Sequence, residues 1–272
     1  MPLDGVLVVP TEQVVRALYP GRNEIRDFLS MYTLDFLSWK DDFENQSITT
    51  TRFTTITNGA GAAALVVRAD QLNGEGRMDA GSADDGYSGA STSLSYRANL
   101  NPIIAVRLNL SAVTSVKCEI GFTDSEADAG AVNVLATPSF TATDAAVWVV
   151  DTDDTALWQG VGVDTGTGAT KQEPSSTEVG PAAATFETLI VALRESTATS
   201  NVGVAKYIRL DASGNKTFES AWIQTNPTDG TAPVEGSLAS NVLLTPWMFV
   251  QNRSATQRLL DIDYIAVWQR RA

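Results

Sequence analysis

Hydrolysis of a glycosidic bond needs two carboxylates facing one scissile bond, close together for a covalent intermediate or farther apart to admit water. Glu119, Asp124 and Glu126 form the nearest such cluster in this chain. Side-chain direction reverses at each residue of a strand, so Glu119 falls on the opposite face from Asp124 and Glu126 unless a bulge intervenes. Glu119 therefore reads as a strand residue, with Asp124 and Glu126 in the polar turn after it. No catalytic residue is assigned.

Asp151, Asp153 and Asp154, interleaved with Thr152 and Thr155, offer the oxygen ligands that a hard cation such as calcium takes. The segment lacks the EF-hand spacing and its central glycine, so it reads as a solvated β-turn. Asp84 and Asp85 read the same way. With no histidine and one cysteine, the chain has no zinc set and neither a Ser/His/Asp nor a Cys/His arrangement. No metal ligand and no cofactor is assigned. Gly59, Ala60, Gly61 lacks the Lys and Ser/Thr that would follow in a phosphate-binding loop, and Gly121 begins no dinucleotide fingerprint. Cys118, between Val116 and Ile120, reads as a buried core thiol, and it has no partner for an internal disulfide.

Trp148 and Trp158 flank the acidic turn, and Trp222, Trp247 and Trp268 come later. Indole rings stack on sugar faces, yet they also fill cores and interfaces. Trp148, Trp158 and Trp222 are the carbohydrate-binding candidates, a role that requires a pair of them to line one groove.

These side chains need a scaffold, and from Phe43 onward the chain supplies short runs of Val, Ile, Thr and aromatics separated by Gly, Pro, Asn and Asp. The clearer strand candidates are Leu65 to Arg68, Ser93 to Arg97, Ile103 to Leu110 and Val116 to Phe122. Ala146 to Val150, Phe186 to Arg194, Ala205 to Leu210 and Tyr264 to Gln269 continue the series. Gly81 to Gly89, Gly160 to Pro181 and Thr225 to Ser240 read as long loops, where binding specificity and subunit contacts most easily reside. Upstream, Ile25, Phe28, Leu29, Tyr32 and Phe36 recur at helical spacing within Glu24 to Lys40, which predicts a short amphipathic helix. Its apolar face docks on the parent domain or on another subunit.

The 272 residues suffice for one large core, and one main domain is the economical reading. Residues 1–40 are the expected arm and helix, for attachment or oligomerisation, and residues 41–272 the expected sandwich. A formal charge of -13 opposes a nucleic-acid or anionic-membrane footprint. Residues 1–10 lack a basic start and a long apolar run, and no later segment has the length of a membrane span, so synthesis in the cytoplasm is expected.

Asp41, Asp42, Phe43 entering the domain, Phe53 soon after, Glu119, Ile120, Gly121, Phe122 in the middle and Asp263 to Trp268 at the close resemble the concanavalin A-like lectin and glucanase superfamily. The resemblance spans residues 41–271 and implies an all-β jelly-roll sandwich of two antiparallel sheets whose first and last strands meet. Against the superfamily's Glu, Asp, Glu catalytic pattern, Glu119 aligns with the first acid. Gly121 stands where the assisting Asp is expected, and no final Glu follows, so the implied protein is no enzyme.

The texture also resembles virion proteins of tailed bacteriophages that use such a sandwich as a structural module. That likeness implies a capsid decoration protein on the virion exterior, made in the host cytoplasm and contacting the major capsid protein or other virion proteins. It implies a homo-oligomer, with a trimer matching local threefold positions, and the helical face of Ile25, Phe28, Leu29, Tyr32 and Phe36 as its interface. A surface glycan is the alternative partner, read by a carbohydrate-binding module, and a divergent glycoside hydrolase comes third.

Overall fold

The structure is a computed structural model and describes residues 36–44, 52–68, 74–125, 130–135, 139–164, 169–172, 180–197, 200–224 and 238–271. Two large antiparallel sheets pack face to face. The first is built from β1 (Phe36–Asp41), β3 (Ala63–Val67), β4 (Gly76–Asp79), β6 (Ile103–Leu110), β13 (Glu187–Glu195), β14 (Val202–Leu210), β15 (Lys216–Glu219), β16 (Ile223–Gln224), β17 (Leu238–Ala239) and β19 (Leu259–Arg270). Its strand order is β15-β14-β13-β6-β19-β4-β3, with β1 on β19 and with β16 and β17 on β14.

The second sheet is built from β2 (Thr54–Asn58), β5 (Tyr87–Ser91), β7 (Val116–Thr123), β10 (Ala145–Asp151), β11 (Thr155–Val163), β12 (Ala169–Gln172) and β18 (Thr245–Asn252). Its order is β12-β11-β10-β7-β18-β5-β2. A small hairpin, β8 (Val132–Val134) with β9 (Ser139–Phe140), leaves the second sheet, and among the described residues the helical element is a single 3₁₀ turn, Ala98–Leu100.

Strand alternation fills the space between the sheets. Ile104, Val106 and Leu108 of β6, Leu189 and Val191 of β13 and Ile265 and Val267 of β19 meet Cys118, Ile120 and Phe122 of β7 and Met248 and Val250 of β18. Each such side chain contributes about 1.5–3 kcal/mol by leaving water. The intervening residues are buried too. Ile103, Ala105, Ile190, Ala192, Ile208, Tyr264 and Trp268 form a second apolar cluster on the other face of the first sheet. Burial on both faces is why segments such as Ala145 to Val150 read as continuous apolar runs instead of alternating ones. Cys118 is a free, buried thiol, and burial pushes its pKa well up.

This is the jelly-roll sandwich expected, with three local corrections. Residues 36–40, taken as the end of a helix, are strand β1, paired antiparallel with β19 from Phe36 opposite Arg270 to Asp41 opposite Ile265. Alternation wins over helical period here because Trp39 packs on the core and its indole N–H donates to the Tyr96 hydroxyl at 2.6 Å. Ile25, Phe28, Leu29 and Tyr32 lie outside the described residues.

The second correction moves a strand. Ser93 to Arg97 carries only an isolated bridge, Tyr96 to Leu244, while Tyr87–Ser91, whose residues up to Gly89 read as loop, is the real strand. Small residues concealed it: a side chain at Gly89 would approach Ile56 at 2.9 Å. The third correction shortens a loop, since the first residues of Gly160 to Pro181 complete β11 and pair with β12.

Candidate functional site

Alternation along β7 turns Lys117, Glu119, Gly121 and Thr123 away from the core, onto the outer face of the seven-stranded sheet. Glu119 is nevertheless completely buried, as is Lys117, at 0% side-chain exposure each. The cover is the segment around β8 and β9, whose Ala131, Val132, Leu135 and Ala142 pack on Val147, Val149, Val161, Trp247 and Phe249.

Beneath it, the Glu119 carboxylate accepts the backbone N–H of Ala131 at 2.6 Å and of Val132 at 3.1 Å, and the Trp247 indole N–H at 2.9 Å. The Lys117 ammonium lies 2.9 Å from Glu119 Oε1, donates to the Val132 carbonyl and sits 5.3 Å from the centre of the Phe249 ring. A buried charge persists only when paired and hydrogen-bonded, and these contacts meet that condition. Gly130 is part of the seal: it has φ +98°, and a Cβ there would lie 2.8 Å from both Glu119 Oε1 and Lys117 Nζ.

The neighbouring positions complete the picture. A Cβ at Gly121 would stand 2.2 Å from the Ala146 carbonyl oxygen, so the backbone leaves no room for the assisting acid. Asp124 lies past the strand end, where its carboxylate accepts the Thr143 N–H at 3.1 Å. Glu126 is outside the described residues. No second carboxylate is therefore brought to Glu119 by the described elements.

The candidate tryptophans do not line one groove. Trp148 and Trp158, each 2% exposed, lie between the sheets. The Trp148 N–H donates to the Ile190 carbonyl at 3.0 Å, and the Trp158 N–H to Glu187 Oε1 at 2.9 Å. Trp222 is half-buried on the far face of the other sheet, with the Arg194 guanidinium 4.2 Å and the Lys206 ammonium 5.8 Å from its ring centre. Trp148 and Trp158 are thereby withdrawn as sugar platforms. Their inward direction follows from β10 and β11 register, which the isolated Trp positions do not reveal.

The acidic turn is neutralised from within. Asp151 is buried and accepts the Arg253 guanidinium in a fork, Nε to Oδ1 at 2.9 Å and Nη2 to Oδ2 at 2.6 Å. The same guanidinium reaches Asp153 at 3.5 Å and Asp85 at 3.4 Å. Arg253 is thus the cation of this turn, and among the described residues no group of three His, Cys, Asp or Glu is placed to hold a metal.

Beyond the seal, the same face stays open at the end where β5 begins. Tyr87 pairs across the strands with Gln251 on one side and Asn58 on the other, putting all three on one face. Its half-buried ring lies 5.5 Å from Phe249. Gln251 Nε2 donates to the Asp85 carbonyl at 3.4 Å, while Asn58, Asp85 and Asn133 are exposed. The Tyr87 ring with exposed Asn58 and Asp85 beside it offers a stacking face and both kinds of hydrogen-bonding group, while Gln251 is buried and holds Asp85. The sequence reading missed Tyr87 because it stands in a Gly, Ser and Asp segment; the Tyr within a Gly-bounded run was the available signal.

No family model and no curated protein matches the chain. Solved structures do resemble it. A protein of unknown function from Shewanella oneidensis MR-1 superposes with a TM-score of 0.56 at 15% identity, covering 93% of this chain and 98% of that one. A structure from work on endo-acting O-glycanases with which prominent human gut microbiota members initiate mucin breakdown gives 0.51 at 8% identity, over 84% and 97%. The catalytic domain of an endo-1,3-beta-glucanase from Thermotoga petrophila RKU-1 gives 0.49 at 12%, over 88% and 99%. At these identities the likeness is one of fold alone: an all-β jelly-roll sandwich of two antiparallel sheets.

Proposed function

We propose that this protein is a non-enzymatic recognition module whose ligand class is carbohydrate. The reading is carried by how the outer face of the seven-stranded sheet is divided. The hairpin segment seals Glu119 with Lys117, and the Tyr87 row remains open beside the seal. The mechanism is stacking of a sugar ring on Tyr87 with hydrogen bonds to exposed Asn58 and Asp85, and no bond is cleaved. The fold supports this, since a likeness of the same kind extends to a structure from work on O-glycanases. The test is a glycan array followed by titration calorimetry with wild type and Tyr87→Ala. Binding lost in the variant supports the reading; no binding across a broad glycan set, or hydrolysis of a polysaccharide, overturns it.

A second reading, a virion structural protein decorating a capsid exterior as a homo-oligomer, is favoured by one observation. Leu37 and Leu243 stay 39% and 41% exposed beside one pocket at one end of the sandwich, a surface suited to protein contact. Electron cryomicroscopy of the native assembly tests it: repeated copies on a shell support the role, and a protein that occurs only free in solution removes it.

A further inference from the structure

At the end of the sandwich opposite the acidic turn, the close of β19, the start of β1 and the approach to β18 enclose a pocket of about 360 Å³. Leu37, Leu100 and Leu243 give it an apolar lining, and Arg97, Arg270 and Arg271 stand around it. All three arginines are exposed, and none forms an ion pair with a described residue. The chain carries a net charge of -13. Elsewhere several cations are matched by carboxylates: Arg52 with Asp41, Arg77 with Asp261, Arg107 with Asp263, Arg209 with Glu187, and Arg253 with Asp151. Arg194 instead lies over the Trp222 ring, and Arg258 donates to backbone carbonyls.

The pocket wall is fixed rather than loose. The Gln269 side chain accepts the Arg97 backbone N–H at 2.8 Å and donates to the Ser95 carbonyl at 3.1 Å, tying the loop to β19. Guanidinium groups present planar forks that match carboxylates. The leucines on the floor keep one side of an occupant out of water.

We infer that this pocket docks an acidic peptide segment of a partner protein, with one aliphatic side chain on the leucine floor and flanking carboxylates on Arg97, Arg270 and Arg271. Charge complementarity selects an anion. The floor selects a peptide over a bare anion or a sulfated sugar, because only the peptide brings an aliphatic group to bury. The site is separate from the Tyr87 row and stands whether or not that row binds glycan.

Fluorescence anisotropy with a labelled hexapeptide of alternating glutamate and leucine tests it on the full chain. Counterparts in which glutamine replaces glutamate, or serine replaces leucine, should each bind roughly tenfold more weakly. The triple variant Arg97→Gln, Arg270→Gln, Arg271→Gln should lose about as much affinity, with its melting temperature unchanged because these side chains are exposed and form no ion pair among the described residues. Leu243→Ser should weaken binding through the floor alone, since it removes the aliphatic surface without adding charge. Equal binding to the glutamate and serine peptide, tighter binding to heparin, an unaffected triple variant, or no binding to the glutamate and leucine peptide overturns the inference.

Discussion

The Lys117 ammonium and the Glu119 carboxylate lie 2.9 Å apart with neither side chain reaching solvent. Two residues of one strand thus form a closed ion pair on the outer face of the seven-stranded sheet. Water is kept from Glu119 by the packed segment above it.

Breaking that pair from one side strands the other charge. Lys117→Met should destabilise the fold by about 3–5 kcal/mol, and Glu119→Gln by a comparable amount. The double variant should cost less than the sum of the two, as expected for directly coupled residues. Urea unfolding of the three proteins gives the coupling; additive losses would contradict a shared pair.

Tyr87→Ala should weaken glycan binding roughly tenfold while leaving the melting temperature close to wild type, because the ring is only half-buried. Trp222→Ala should leave the same binding unchanged, since that ring lies on the other sheet. Calorimetry on both variants checks the assignment of face.

Arg253 offsets Asp151, Asp153 and Asp85. Arg253→Ala should therefore destabilise by about 3–5 kcal/mol by leaving buried Asp151 unpaired. Calcium or a chelator should shift the melting temperature of the wild-type protein by nothing measurable. A calcium-dependent rise in wild type would show that the turn takes a metal despite its guanidinium.

Asp144 is set up to respond to pH. Burial, with Asp124 and Asp164 nearby, pushes its carboxyl from 3.8 up to about 6, although the Ala239 N–H donates to it at 3.0 Å. A pKa raised on folding means that the native state holds the proton more tightly. The stabilisation is therefore complete below about 3.8 and lost as pH rises through about 6. It amounts to roughly 3 kcal/mol. Asp144→Asn should flatten that part of the stability profile; an unchanged slope between pH 4 and 6 in denaturant titrations would refute the assignment.

Much of the architecture could be read from local pattern. Ile103 to Leu110 and Val116 to Phe122 declare themselves as strands because β-branched and apolar residues run without interruption. Tyr87–Ser91 does not, because its small residues serve close packing against Ile56 and Phe249, a tertiary demand with no local signature. The site was less legible for the same reason. That Gly121 excludes an acid was readable from its identity, whereas the sealing of Glu119 depends on Ala131 and Val132 folding back over it. Nor could spacing show that Arg253 would cross to Asp151, 102 residues earlier.

β19 holds β1, β4 and β6 together, and it follows all three in chain order. During synthesis the neighbours on both sides of that strand wait for residues 259–270 to leave the ribosome. The ten-stranded sheet therefore closes only once residues 259–270 are available to pair, and such long-range pairings make closure slow. Until then β6 presents an open apolar edge, the stage at which a nascent chain most depends on chaperones.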